Sequence, residues 1–80
     1  MNIDFYLYAS LARYLPEDAR AEKKAVVSAP SGATARDLLK IFGVPEKEVK
    51  IVFVNGVRKD LDTAVSEGDR VGVFPPVGGG

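Results

Sequence analysis

The sequence predicts an α+β domain in which a mixed sheet of four to five strands packs on one main helix. Three observations carry this expectation. Ile3, Phe5 and Leu7 alternate with Asp4, Tyr6 and Tyr8, the period of two of a half-buried strand. Thr34 with Asp37 three residues on opens one apolar run, Leu38, Leu39, Ile41 and Phe42, that Gly43 and Pro45 close, as at a capped helix. Ile51-Val52-Phe53-Val54 is apolar on both faces and runs into Asn55-Gly56, the strongest short hairpin signal.

The remaining elements follow in chain order. Ser10 is placed to cap a short helix from Leu11 to Leu15 that Pro16 ends. Glu17 to Lys24 is charged and aperiodic, a loop. Ala25 to Ser28 reads as a second strand, stopped by Pro30-Ser31-Gly32. Glu46 to Val49 reads as a single turn or a loop, and Val57 to Lys59 as a short return strand. Asp60 to Val65 is polar and irregular, Glu67-Gly68-Asp69 forms a turn, and Arg70 to Phe74 is the last strand. Residues 1–74 thus form one domain, and residues 75–80 read as a flexible tail.

Eighty residues with 46% hydrophobic content can hold one core near the lower size limit for a domain without crosslinks. Eleven Lys and Arg balance eleven Asp and Glu, so no net field draws the chain to nucleic acid or to an anionic membrane. No apolar run approaches membrane-spanning length, and Met1 to Asp4 shows no basic signal segment, which makes the cytoplasm the expected compartment. Cysteine and histidine are absent, which removes Cys and His metal sites, thiol nucleophiles and the usual base of a serine triad. Asp60, Asp62, Glu67 and Asp69 alternate with turn residues and match no metal-loop spacing, so they read as turn and cap residues. Neither a metal site nor independent catalysis is expected.

The end of the chain points elsewhere. Pro75-Pro76-Val77-Gly78-Gly79-Gly80 follows an apolar strand and carries no side chain that could react. Pro75 and Pro76 fix φ and direct the segment away from the domain. Gly78 and Gly79 have no Cβ and can pass a channel too narrow for a side chain. Nearly extended, the six residues reach roughly 20 Å, far enough for the Gly80 carboxylate to enter another protein's active site. Alternation places Phe74 opposite to Val71 and Val73, beside this tail. With Tyr6, Tyr8 and one pair from Ile51 to Val54 it forms either an exposed aromatic patch that binds a partner, or a surface covered by the short helix and the Glu17 to Lys24 loop.

These residues together resemble the MoaD/ThiS group of ubiquitin-like β-grasp sulfur carriers, over the whole chain. The Gly68-Asp69-Arg70-Val71 turn and strand, running to Pro75-Pro76-Val77-Gly78-Gly79-Gly80, look most like its MoaD branch, the small subunits of molybdopterin synthase. Asn55-Gly56 and Asp60-Leu61-Asp62 fit the same pattern. Gly43 to Val49 also resembles orphan β-grasp proteins and domains fused to bacterial nuclease-like chains. The resemblance implies that a ubiquitin-activating-type enzyme, using ATP and magnesium, adenylates the Gly80 carboxylate, and that a sulfur donor replaces AMP to leave a thiocarboxylate. It further implies partner contacts through Phe74, Pro75, Pro76 and Val77, threading of Gly78 and Gly79, and delivery of sulfur to a pterin precursor of the molybdenum or tungsten cofactor within a large synthase subunit. Two loaded carriers supply one dithiolene, hence a heterotetramer. The alternatives within the resemblance are a carrier for thiamin thiazole or tRNA thiolation, and a ubiquitin-like modifier joined to lysine.

Overall fold

The computed structural model describes residues 1–76; Val77, Gly78, Gly79 and Gly80 lie outside the described residues. Five strands form one sheet: β1 (Asn2–Leu7), β2 (Lys24–Ser28), β3 (Ile51–Val54), β4 (Val57–Lys59) and β5 (Arg70–Phe74). Their order is β2-β1-β5-β3-β4. β1 and β5 pair in parallel, with Phe5 beside Val71 and Leu7 beside Val73, and every other pair is antiparallel. A parallel pair needs a long crossover. Here the crossover is everything between the two ends of the domain, so the first and last strands meet at the centre of the sheet.

The helix α1 (Ala35–Phe42) covers one face. Its capping box is complete: the Thr34 hydroxyl accepts from the Asp37 amide, and the Asp37 carboxylate accepts from the Thr34 amide at 2.9 Å. Gly43, at φ 73°, ends it in the left-handed conformation that a side chain would disfavour. Ala35, Leu38 and Leu39 are buried against Ile3, Phe5, Val71 and Val73, and Phe42 stacks on Phe5 with ring centroids 5.1 Å apart. Ile41 belongs to the same apolar run but is 49% exposed, because α1 turns that position away from the sheet.

Three sequence expectations change. Ser10 is not a cap: a 3-10 helix over Ala9–Tyr14 starts after Tyr8 without any side-chain cap bond. The chain leaves β1 instead through Ala9, a non-glycine residue at φ 51°, a conformation costing about 1 to 2 kcal/mol. The bend is offset by Leu11 and Leu15, which it drops into the core. The Glu17 to Lys24 stretch contains a 3-10 turn at Glu17–Ala19, and its last residue, Lys24, begins β2. Arg20 fastens it by donating to the carbonyls of Leu15 and Arg13.

Of the two readings of Glu46 to Val49, the single turn is the one formed, at Glu46–Glu48. Tyr14 donates to Glu48 at 2.8 Å, and Arg13 pairs with the same carboxylate. The Tyr14 hydroxyl, followed by Arg13, holds the Glu48 carboxyl below its ordinary range. Asp60 to Val65 forms no strand, yet it is laced to the start of α1. The Ala35 and Arg36 amides donate to Thr63 and Leu61, and the Val65 amide donates to Ala33. Helix amides left open at an N-terminus are thereby satisfied.

Candidate functional site

Strand alternation divides the sheet into a covered and an open face. Val52, Val54, Val71 and Val73 point into the core, while Ile51, Phe53, Gly72 and Phe74 point to the open side. The register orders this open face into rows. Phe74 pairs with Ile51 across β5 and β3. Gly72 lies between Tyr6 on one side and Phe53 on the other, and Arg58 follows Phe53 on β4. Arg70 pairs with Asp4.

The aromatic residues form a chain of contacts. Tyr6 and Tyr8 stack at 6.0 Å, Tyr8 and Phe74 stack at 4.4 Å with ring planes 16° apart, and Phe53 meets Phe74 edge-on at 5.7 Å. Such pairs contribute about 0.5 to 1.5 kcal/mol each beyond their buried area. Phe74 nevertheless remains 37% exposed. The covered alternative does not hold for it, since Leu11 and Leu15 of the short helical segment go into the core. Tyr6, Tyr8 and Phe53 are half-buried, Tyr6 against Tyr8 and Phe53 against Phe74.

Gly72 makes this arrangement possible. A Cβ there would stand 3.1 Å from Cε2 of Tyr8, so the glycine leaves the space in which the Tyr8 ring lies across β5. Between Tyr6, Tyr8, Phe53, Phe74, Gly72 and Arg70 lies a shallow concavity of about 400 Å³. The sequence contained a signal for it, because a glycine inside a strand marks close approach of another group. Which residues approach was set by register.

The sequence-predicted site residues fall in two groups. Phe74, Pro75 and Pro76 lie together at the end of β5, next to the open face, with Pro75 half-buried and Pro76 exposed. Val77, Gly78, Gly79 and the Gly80 carboxylate are outside the described residues. The turn carboxylates accept from backbone amides. Asp60 accepts from the Asp62 amide, Asp69 from the Ser66 amide, and Glu67 from the Asn2 amide, all at 2.8 to 2.9 Å. Asp62 pairs with Arg36, which also holds Glu46. Among the described residues no three His, Cys, Asp or Glu side chains converge as a metal site, and no helix is long and apolar enough to cross a membrane.

A five-stranded mixed sheet grasping one helix, with its last strand at the centre, defines a ubiquitin-like β-grasp protein. The family model described as Mut7-C ubiquitin matches residues 1–78, and the chain belongs to that family. No curated protein matches the sequence. Among solved structures, SAMP1 from Haloferax volcanii shares the fold with a TM-score of 0.74 at 24% identity, covering 100% of both chains. A putative molybdopterin converting factor, subunit 1, from Pyrococcus furiosus is 26% identical over 96% of this chain and 99% of its own, with a TM-score of 0.70. A structure of subunits 1 and 2 of molybdopterin-converting factor in complex, from Helicobacter pylori, matches at 0.61 and 23% identity over 100% of both chains. The expected MoaD-like, ubiquitin-like class is the one these matches define.

Proposed function

We propose that this chain is a sulfur carrier whose C-terminal Gly80 carboxylate is the working group, and that it serves as the small subunit in molybdopterin synthesis. One observation carries the reading: exposed Phe74, stacked on half-buried Tyr8, stands where β5 leaves the domain for Pro75 and Pro76. A partner seated on that stack is next to the start of the tail. The 26% identity to the Pyrococcus furiosus subunit 1 structure, over nearly both full lengths, supports the choice of pathway.

At neutral pH an α-carboxylate, of pKa about 3.3 to 3.7, is an anion and a poor electrophile. In this reading a carboxylate oxygen attacks the α-phosphorus of ATP on a ubiquitin-activating-type enzyme, pyrophosphate leaves with magnesium, and a sulfur nucleophile then displaces AMP. The domain supplies position and no catalysis of its own. Phe74, Pro75, Pro76 and Val77 contact the partner, Gly78 and Gly79 thread its channel, and a pterin precursor held by the large subunit of the synthase accepts the sulfur. The cytoplasm, where ATP and the activating enzyme operate, is its compartment. A second reading joins the same activated carboxyl to a lysine amine, as in a modifier; it is supported by the likeness of fold to SAMP1.

Intact mass decides between these. After incubation with an activating enzyme, ATP and a sulfur donor, the carrier reading expects the mass change of one oxygen exchanged for one sulfur at Gly80. Isopeptide-linked adducts without that exchange would favour the modifier. Persistence of the unmodified mass with several activating enzymes would remove the carrier reading.

A further inference from the structure

The open face is polarised, and its polarity specifies what can sit on it. At one end, beside the exit of β5, are Tyr8 and Phe74. The cations stand away from that pair: Arg70 at the opposite end of β5, and Lys24 and Arg58 on the two outer strands, in the row of Gly72. Lys24, Arg58 and Arg70 stand among the strand residues of this face against a single carboxylate, Asp4. Asp4 is shared with Lys24, whose ammonium lies 3.8 Å away and also 5.7 Å from the Tyr6 ring centre. Arg58 and Arg70 are exposed and have no carboxylate within ion-pair distance among the described residues. The chain as a whole has a net charge of zero, so this excess is local. Phe74 is four positions from Arg70, about 13 Å along the strand, and Arg58 stands two strands to the side of Gly72, about 10 Å away and so about 12 Å from Phe74.

We propose that the open face docks a protein surface carrying an apolar projection and, about 12 to 13 Å from it in two directions, carboxylates: the projection meets Tyr8 and Phe74, and the carboxylates meet Arg70 and Arg58. This deepens the carrier reading, on which it rests, by giving the chemistry and the orientation of the partner. The apolar contact falls beside Pro75, and the ionic contacts fall toward the Asn55-Gly56 turn, Arg70 across from Asn55 and Arg58 two residues after Gly56. Single-stranded nucleic acid fits the face less well. Tyr6, Tyr8 and Phe74 are stacked on one another, so the ring faces on which bases would stack are already in contact.

The test uses the full chain, isotope-labelled, titrated with two synthetic peptides that share a Leu-Phe anchor, one followed by a run of glutamates and the other by a run of lysines. The glutamate peptide is expected to bind about tenfold more tightly and to shift the resonances of Gly72, Phe74, Arg58 and Arg70. The double variant Arg58→Glu/Arg70→Glu reverses the preference, while Phe74→Ala weakens both peptides. Equal affinities, a preference for lysine, shifts confined to other surfaces, or no binding of either peptide overturns the proposal. Displacement of the glutamate peptide by oligothymidylate overturns it in favour of nucleic acid. None of these outcomes alters the mass exchange at Gly80, so failure here and failure of the carrier reading are read separately.

Discussion

At the scale of single residues, Phe74 holds the most consequential position. It is exposed by more than a third, in contact with both Tyr8 and Phe53, and placed where the strand ends. Phe74→Ala removes one stack and one edge contact, which together contribute about 1 to 3 kcal/mol of stability. A fully buried phenylalanine would cost about 3 to 5 kcal/mol. In the carrier reading the same change costs binding to the large partner about 2 kcal/mol or more, as aromatic anchors commonly do. Denaturant melts and titration of the partner, run side by side, check both. A melt that collapses while affinity stays unchanged would mean that the ring serves the fold alone. The exposed position of Phe74 was legible in the alternation with Val71 and Val73. The partner of Gly72 was not, because the ring that needs its missing Cβ is that of Tyr8, the residue after β1, more than sixty residues earlier in the chain.

At the scale of elements, α1 was the most legible. Its cap and its stop are built from residues within three positions of each end, so the chemistry that ends the helix is written where the helix ends. Asp37 gives this a pH signature. Its carboxylate accepts first from the Thr34 amide and then from the Thr34 hydroxyl, and both bonds hold its pKa below the ordinary value. A carboxyl whose folded pKa is depressed stabilises the fold above its unfolded pKa, about 3.9, and loses that contribution as pH falls through the folded pKa. The gap in denaturant midpoint between wild type and Asp37→Ala is therefore expected to be constant from neutral pH to about 5 and to shrink below about 4. A gap independent of pH would show that the carboxylate does not act through its charge. The short helix after β1 was less legible. Ser10 offered a plausible cap, but the start was decided by where Leu11 and Leu15 had to be buried, and Ala9 took the unfavourable φ that this required.

At the scale of the whole molecule, the domain brings its first and last strands together at the centre of one sheet and leaves one aromatic face beside Pro75 and Pro76. The carrier reading makes Gly79 its most sensitive test. If residues 77–80 only extend into solvent, Gly79→Val changes neither stability nor activity, since surface substitutions usually fall within about 0.5 kcal/mol. If they thread a channel, the added Cβ and methyl groups meet its walls, and an offset near 1 Å at the reacting carbon costs on the order of a hundredfold in rate. The expected outcome is an unchanged melting temperature with adenylation or sulfur transfer reduced by about tenfold or more. Full transfer by Gly79→Val in a reconstituted assay would show that the tail is not the working end.

The sequence by itself determined what depends on neighbours along the chain. The period of two in β1 and β5, the capped helix and the Asn55-Gly56 turn each follow from steric and hydrogen-bonding rules that act over a few residues. Tertiary structure decided what depends on residues far apart. The alternation showed that Ile51 to Val54 had two apolar faces, but only the pairing of β3 with β5 selected Ile51 and Phe53 for the open one. The tie between Asp60 to Val65 and the start of α1 adds to the Arg36–Asp62 pair a set of backbone bonds that no side-chain pattern encodes. Arg58 and Arg70 joined the aromatic face because one strand lies two places from the other in the sheet, and strand order is set by burial of the whole core and not by any local signal.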